Sequence, residues 1–354
     1  MPSLSSCAAG CSAICWQTAN GLHLFGRNLD FHTLTKDSQV LSLPRGMQYH
    51  ISLTPGRPGP PHSVRYPSVG IGLMAGSNAP VLYEGLNAAG LMGAQLYYRG
   101  FAHYRAGPRP GREAVQPPFL VFHLLSQCAG VNEAVRMLEE GLDLVALPLF
   151  GTVPPLHWIF TDSSGESIIV EPDQDGLHIY RNTLGVMTNS PGYPWHRLNL
   201  LNFAGIRDLD YDSGEIAGEQ LEQCFSGSGA QGLPGDFSSP SRFVRLAFLK
   251  HFALKGRQEE EGVARLFRLL QNVAFPLGMV RISQLEQVYD YTIYTAVMCA
   301  ESGRFYWTSY DDMQLQCLEL SRPSALAGHP LSFPLCRQAE RGIPLTGQQE
   351  PPRA

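Results

Sequence analysis

The sequence contains no apolar stretch long enough to cross a bilayer and no cluster of lysine and arginine of the kind that contacts nucleic acid. Charged residues make up only 16% of the 354 residues, and the formal net charge is −5. A paired CxxC motif and a glycine-rich phosphate loop are also lacking, which argues against a structural zinc site and a Rossmann-type domain. We therefore expect no membrane or nucleic-acid partner, no metal and no cofactor.

Eight cysteines are present, three of them near the start: Cys7, Cys11 and Cys15. A chain of this length buries enough apolar surface to fold without disulfide bonds, so we expect free thiols and a cytoplasmic location. The first ten residues, MPSLSSCAAG, contain neither a basic n-region nor an apolar h-region. They do not have the pattern of a Sec signal peptide.

Strand meanders interrupted by pairs of helices predict a mixed α+β domain with antiparallel sheets. Alternating residues predict a meander over 156–181, and YTIYTAVMCAE with RFYWTSYDD predicts a late hairpin. Helices are predicted in FLVFHLLSQC, VNEAVRMLEEGL, SRFVRLAFLKHFAL and EEGVARLFRLLQNV. Pro- and Gly-rich loops are expected at 54–62 and 106–118, a loop-rich stretch at 205–240, and a frayed tail after about residue 338.

The stretch CSAICWQTANGLHLFGRNLDF, which begins at Cys11, has the pattern of a β-hairpin that turns at Asn20-Gly21. A two-residue turn places Cys11 opposite Asp30, with their Cβ atoms about 5 Å apart. The same register places Arg27 on the opposite face from Cys11. A bulge, a longer turn or the reach of the arginine side chain is needed if the thiol and the guanidinium serve one site.

Two further polar residues stand out by their local sequence. Asn189 follows the apolar run LGVM and precedes a turn, so its amide is either a turn cap or a hydrogen-bond donor to an oxyanion. Arg242 lies in the first turn of a predicted helix, where the helix dipole disfavours a cation. It is either an exposed surface arginine or the partner of a carboxylate or an anionic substrate.

An aromatic cluster ends the segment YEGLNAAGLMGAQLYYRGFAHY. Aromatic side chains at the end of a strand either pack in the core or line a pocket for an apolar ligand. The cluster consists of Tyr97, Tyr98, Phe101 and Tyr104.

A cysteine nucleophile needs a base, and none of the eleven histidines occurs in a recognisable Cys-His signature. His157 and His196 are the nearest candidates in segments rich in motifs. A simpler base is the α-amino group of Cys11 itself, which exists if the chain is cut before this residue. Its unperturbed pKa lies at about 7.7–8.0, which suits proton transfer from its own thiol.

Together these segments resemble the choloylglycine hydrolase family, which comprises bile salt hydrolases and penicillin V acylases. The resemblance runs from Cys11 to about Asp311 and rests on the order of CSA, GRNLDF, LYEGLNAAGLMGAQLYY, PPLHWIFTDSSGESIIVEPD, GVMTNSPGY, GLPGDFSSPSRFVR and DYTIYTAVMC. It implies an N-terminal-nucleophile hydrolase of linear amides with a four-layer αββα sandwich of two antiparallel sheets, often a homotetramer. It also implies one domain at 11–338 that begins at the nucleophile, so residues 1–10 form a leader to be removed, in departure from the many relatives that lose only the initiator Met. The polar composition after residue 338 predicts a disordered tail at 339–354.

The resemblance also implies roles for individual residues. Cys11 matches the nucleophile that becomes the mature N-terminus. Asp30 would hold its α-amino group, and Arg27 would bias its thiol toward the thiolate. Only Cys11, rather than Cys7 or Cys15, has the family's spacing to GRNLD.

The remaining site residues follow in the same way. Asn189 matches the oxyanion-hole amide, and Arg242 matches the arginine that completes the site. Tyr97 stands where bile salt hydrolases usually have Asn and penicillin V acylases have Tyr, and its N–H would be the second oxyanion donor. The chain therefore looks most like a penicillin V acylase. The alternatives are a bile salt hydrolase, an N-acyl homoserine lactone acylase, and a catalytically inactive relative that acts as a binding protein.

Overall fold

A computed structural model describes residues 10–54, 57–76, 78–320 and 328–336. The first nine residues of the expected leader and all of the expected tail at 339–354 lie outside these ranges. Within the described ranges, none of the helices has the length and apolar character that crossing a membrane requires.

The chain alternates between strands and short groups of helices. In chain order the strands are β1 (Gly10–Gln17), β2 (His23–Phe31), β3 (Gln39–Leu43), β4 (Gln48–Tyr49), β5 (Leu53–Thr54), β6 (Arg57–Pro58), β7 (His62–Ser63), β8 (Ser68–Met74), β9 (Pro80–Asn87), β10 (Met92–Tyr97), β11 (Glu113–Val115), β12 (Leu142–Leu144), β13 (Leu156–Thr161), β14 (Ser167–Asp173), β15 (Gly176–Tyr180), β16 (Val186–Met187), β17 (Gly214–Ile216), β18 (Glu219–Leu221), β19 (Val280–Arg281), β20 (Tyr289–Cys299), β21 (Arg304–Ser309), β22 (Gln316–Glu319) and β23 (Leu331–Phe333). The α-helices are α1 (Leu120–Gln127), α2 (Val131–Arg136), α3 (Tyr193–Asn199), α4 (Ser239–Phe252) and α5 (Glu259–Gln271).

Two antiparallel sheets form the centre of the domain. The first has the order β16-β1-β2-β20-β21-β22, with β19 paired to β20, and the second has the order β15-β14-β13-β10-β9-β8-β3-β23. Helices α4 and α5 pack on the first sheet, α1 packs on the second, and β1 and β2 contact β10 across the space between them. This is the predicted four-layer αββα sandwich. Because β1 and β2 are covered on both faces, nearly all of their residues are buried.

The predicted meander is present as β13, β14 and β15, and the late hairpin as β20 and β21. All four predicted helices form, although the second changes into a π-helical turn, Met137–Gly141, before it ends. The stretch predicted to be loop-rich contains one small addition, the exposed hairpin of β17 and β18.

The turn between β1 and β2 differs from the prediction. The N–H of Thr18 donates to the carbonyl of Leu22 at 2.9 Å, so the loop has three residues, and Gly21 takes the left-handed conformation with φ of 93°. A three-residue loop that ends in a left-handed glycine is a common hairpin connection. The additional loop residue shifts the register by one position.

The shifted register changes which residues share a face. Cys11 pairs with Leu29 and Ala13 pairs with Arg27, so the predicted pairing of Cys11 with Asp30 is wrong. Because side chains alternate along a strand, Cys11 and Arg27 now lie on the same face of the sheet. The sequence analysis left three ways for Cys11 and Arg27 to serve one site: a bulge, a longer turn or the reach of the arginine side chain. In the structure the longer turn brings the two residues together.

Candidate active site

The thiol of Cys11 lies at the inner end of a cavity between the sheets. Cys11 is 3% exposed, and the Nη2 of Arg27 donates to its sulfur at 3.2 Å. Burial raises the pKa of the thiol above its ordinary value, and the charge of Arg27 opposes this shift only in part. The raised pKa disfavours the thiolate in this arrangement, so attack by the sulfur needs a base.

The guanidinium of Arg27 is fixed from behind by a buried carboxylate. Its Nη1 forms an ion pair with Glu84 and a hydrogen bond with the hydroxyl of Tyr294 at 2.7 Å. Burial disfavours the charged guanidinium, but its polar neighbours outweigh this effect and raise the pKa of Arg27. Sequence analysis missed Glu84. The sequence did contain a sign of it, because Glu84 is the one acid in the otherwise apolar strand LYEGLN. A fully buried acid is rare unless it is paired, so a buried cationic partner could have been predicted.

The backbone of Cys11 is held by two side chains from distant parts of the chain. Its N–H donates to Oδ1 of Asn189 at 2.9 Å, and its carbonyl accepts from Nη1 of Arg242. Nη2 of Arg242 also donates to Oδ1 of Asn189 at 2.7 Å. These contacts, with a hydrogen bond from Nε to the carbonyl of Phe237 at 2.9 Å, account for a cation in the first turn of α4, because hydrogen-bond acceptors surround the guanidinium and offset the unfavourable helix dipole. Arg242 is buried, so it is not a surface arginine.

Asn189 follows β16, and three hydrogen bonds orient its side-chain amide. Nδ2 donates one of its two N–H bonds to the carbonyl of Tyr97 at 2.9 Å. The backbone N–H of Tyr98 bonds to the carbonyl of Pro155. Because such bonds alternate in an antiparallel pair, the N–H of Tyr97 points away from β13. The amide of Asn189 thus connects the backbone of Cys11 to the backbone of Tyr97.

Asp30 is buried and pairs with Gly10 rather than with Cys11. Its Oδ1 accepts from the hydroxyl of Thr292 at 2.5 Å, and its Oδ2 lies 4.0 Å from Nη1 of Arg242. Burial raises the pKa of Asp30 to about 6, and Arg242 opposes the shift. Asp30 therefore lies one position from the register partner of Cys11, and its carboxyl bonds to Thr292 instead of standing directly opposite the thiol as the sequence had suggested.

Neither candidate histidine contacts the thiol. His157 bonds to Glu171 and to the carbonyl of Thr188, which fixes both of its ring nitrogens. His196 contacts the carbonyl of Asn189 through Nε2 at 2.9 Å, and burial lowers its pKa to about 4. Both side chains support the strand that carries Asn189, and neither is placed to take a proton from sulfur.

The cavity above Cys11 has a volume of about 190 Å³ and mostly apolar walls. Its aromatic walls come from Phe31, Tyr83, Tyr97 and Phe150, and its aliphatic and other walls from Leu29, Leu34, Leu73, Val81, Pro118, Leu149, Pro154 and Leu156, with Thr33, Thr35, Thr152 and Gln95 between them. Of the predicted aromatic cluster, only Tyr97 lines this cavity. Tyr98 and Phe101 border a separate surface pocket, and the hydroxyl of Tyr104 bonds to the carbonyl of Pro154.

Potential metal ligands come together elsewhere in the described part of the chain. Ligand atoms of Asp173, Asp175 and His178 lie within 4.8 Å of one another at the surface. His178 already bonds to Asp175 at 2.8 Å, and none of the three lines the Cys11 cavity. We assign this group no role in the chemistry at Cys11.

Comparison with known proteins places this site in a family. A family model described as linear amide C–N hydrolases, choloylglycine hydrolase family, matches residues 11–326. The chain belongs to the choloylglycine hydrolase family. A bile salt hydrolase/transferase of Lactiplantibacillus plantarum is 31% identical over 332 residues, which cover 93% of this chain and 98% of that protein. The activity of an amidohydrolase on linear C–N bonds follows from this membership.

Two solved structures show the same architecture. A mutant conjugated bile acid hydrolase from Clostridium perfringens superposes with a TM-score of 0.82 at 27% identity, covering 91% of this chain and 96% of that one. A penicillin V acylase from Agrobacterium tumefaciens superposes with a TM-score of 0.70 at 20% identity, covering 91% and 90%. The second likeness extends to the fold alone.

Proposed function

We propose that this linear amide hydrolase is a cysteine N-terminal-nucleophile amidase of the penicillin V acylase type, with Cys11 as its nucleophile after removal of residues 1–10. The observation that carries the proposal is the position of Cys11. Its sulfur meets Arg27 at the floor of the cavity, while its backbone nitrogen meets Asn189 at 2.9 Å. The nucleophilic sulfur and the nitrogen that would become its base thus belong to the same residue. Arg27 contacts the sulfur, and Asn189 contacts the nitrogen.

The proposed reaction has two stages. The free α-amino group of Cys11 takes the proton of the thiol, and the sulfur attacks the carbonyl carbon of the amide. The N–H bonds of Asn189 and Tyr97 stabilise the oxyanion, and the amine leaves with the proton. Water then hydrolyses the thioester and releases the carboxylic acid. Asp30 holds the α-ammonium group, Arg27 faces the sulfur, and Arg242 fixes the carbonyl of Cys11.

The size and lining of the cavity favour a substrate with a small apolar acyl group. A volume of about 190 Å³ with aromatic walls suits a phenoxyacetyl group better than a steroid nucleus. We therefore propose phenoxymethylpenicillin as a substrate, cleaved to 6-aminopenicillanic acid and phenoxyacetate. A conjugated bile salt is the second candidate, because the relative at 31% identity is a bile salt hydrolase/transferase. An N-acyl homoserine lactone is the third.

A panel of three amides distinguishes these substrates. The processed protein is incubated side by side with phenoxymethylpenicillin, glycocholate and an N-acyl homoserine lactone, and released products are quantified. We expect the largest kcat/KM for phenoxymethylpenicillin. A clear preference for glycocholate would overturn the ranking. No turnover of any amide, together with no acylation of Cys11, would favour an inactive relative that acts as a binding protein.

Intact mass tests the processing step. An active preparation should consist of chains that begin at Cys11, and a Cys11→Ala chain should keep residues 1–10. An active species that still carries the first ten residues contradicts the proposed mechanism. Removal of the ten residues from Cys11→Ala would show that another enzyme makes the cut and that Cys11 is not needed for it.

We also propose a homotetramer in the cytoplasm. The exposed hairpin of β17 and β18 and the segments beside it present large apolar side chains: Leu209, Ile216, Leu221 and Phe225. A patch of this kind is typical of a contact between subunits. The seven cysteines of the described residues are all free, which fits a reducing compartment. Sedimentation of the processed protein tests the assembly, and an Ile216→Asp chain should sediment as a smaller species.

A further inference from the structure

Gly10, the residue on the amino side of the proposed cut, lies where a side chain has no room. It is buried and pairs with Asp30 at the start of β1. A Cβ atom added to it would lie 2.6 Å from Cζ and 2.8 Å from Cε2 of Phe275, and 3.2 Å from Cβ of Asp30. Atoms of real side chains do not approach each other so closely, so either the ring or the strand would have to move.

The ring of Phe275 is fixed and cannot easily give way. The backbone N–H of Phe275 donates to the hydroxyl of Thr292 at 2.7 Å, and its carbonyl accepts from the N–H of Thr292 at 3.1 Å. Phe237 packs edge-on against the ring with centroids 5.3 Å apart, and the guanidinium of Arg242 covers it at 5.2 Å. Phe275 is only 3% exposed, so solvent offers it no alternative position.

The strand on the other side of the bond is fixed as well. The N–H of Cys11 is held by Asn189, and its carbonyl is held by Arg242. A side chain at position 10 would therefore displace the carbonyl of Gly10 relative to the sulfur of Cys11. Reactions between groups held in one molecule lose rate steeply when the reacting atoms are misplaced by a fraction of their contact distance.

We propose that Phe275 and Gly10 form a self-processing subsite that selects glycine on the amino side of the cut, so that any side chain there slows processing. This inference rests on the proposed function. In the step itself, the sulfur of Cys11 attacks the carbonyl carbon of Gly10, and the C–N bond breaks. The nitrogen keeps its hydrogen and gains the thiol proton to become the α-amine. Water then hydrolyses the thioester, which gives the carboxylate of Gly10 and the free thiol.

Intact mass measured over time after purification tests the subsite. We expect Gly10→Ala to slow the loss of residues 1–10 by about tenfold or more, and Gly10→Val to block it over the period in which the unmodified chain is fully processed. Adding Phe275→Ala to Gly10→Val should restore part of the rate, because it removes the obstructing ring. Gly107 is the matched control, since its Cβ would meet no atom within 4 Å. Gly107→Ala and Gly107→Val should process at the unmodified rate.

The outcomes separate the subsite from the function it rests on. A folded Gly10→Val chain that processes at the unmodified rate overturns the subsite. A Gly10→Val/Phe275→Ala chain that is no faster than Gly10→Val also overturns it. Thermal melting identifies a variant that fails to fold, and in that case Gly10→Ala with and without Phe275→Ala decides. If the unmodified chain is active yet keeps residues 1–10, this result alone overturns the proposed function, and the subsite is overturned with it. A result obtained only with the Gly10 variants overturns the subsite and leaves the proposed function standing.

Discussion

Arg27 donates a hydrogen bond from Nη2 to the sulfur of Cys11 at 3.2 Å, while its Nη1 is bound to Glu84. One guanidinium thus connects the thiol to a fully buried carboxylate. The negative charge of Glu84 offsets the positive charge of Arg27. Arg27 therefore attracts a thiolate at Cys11 less strongly than an unpaired arginine would. Burial is the largest effect on the Cys11 thiol and raises its pKa despite the arginine beside it, and the charge of Asp30 acts in the same direction.

Replacing Cys11 with serine should abolish most of the amidase activity. We expect kcat to fall by about 1,000-fold or more, since a hydroxyl is a far weaker nucleophile under the same base. Steady-state hydrolysis of the preferred amide measures the loss. Cys15→Ala is the control, because Cys15 lies on the same strand but outside the cavity lining, and this variant should keep its turnover. Equal losses in both variants would show that the strand, not the thiol, was damaged.

Replacing Glu84 with glutamine should make the thiol more acidic and the protein less stable. The substitution keeps the shape but leaves the buried Arg27 without its counter-ion, which typically costs about 3–5 kcal/mol. The uncompensated cation should also lower the pKa of the Cys11 thiol. Chemical denaturation measures the first effect, and the pH dependence of alkylation by iodoacetamide measures the second.

Tyr294→Phe is the matched control for that experiment. It removes the hydroxyl that bonds to both Arg27 and Glu84 but leaves the charges unchanged. We expect a loss of about 1 kcal/mol and an alkylation profile close to that of the unmodified chain. If Glu84→Gln and Tyr294→Phe shift the profile equally, the effect comes from lost packing and not from charge.

The residue pattern predicted the strands and helices of this fold better than it predicted the contacts between them, and the four layers followed only from the family resemblance. Strand and helix periodicity depends on local residues, so the meander, the late hairpin and the four helices were foreseeable. The register of β1 and β2 depended on a single loop residue, and Asn20-Gly21 fits both a two-residue and a three-residue turn. The ion pair of Arg27 with Glu84 joins residues that are distant in sequence, and no local pattern specifies such a pair.

Replacing His196 with glutamine should leave the amidase chemistry largely intact. Nε2 of His196 is directed at the carbonyl of Asn189, and an amide N–H of glutamine can donate there in its place. We expect kcat within about tenfold of the unmodified enzyme, whereas loss of a general base typically costs about 100- to 10,000-fold. The pH profile of kcat/KM should also keep its shape. His178→Gln, at a partly exposed position that does not line the cavity, controls for the change of residue type.

Burial of Asp290 should make the protein less stable as the pH rises. Asp290 is 1% exposed, and burial, with a smaller contribution from the charge of Asp30, raises its pKa to about 7 from 3.8. Between these two values the unfolded chain loses this proton and the folded chain keeps it, so the free energy of unfolding falls as pH increases through that window. From pH 5 to pH 8 the group should remove about 2.5 kcal/mol. Asp290→Asn has no carboxyl to titrate in either the folded or the unfolded state. Chemical denaturation should therefore show a smaller fall in the free energy of unfolding from pH 5 to pH 8, and a higher stability than that of the unmodified chain at pH 8. A variant with the same pH slope as the unmodified chain would show that Asp290 ionises normally in the folded protein.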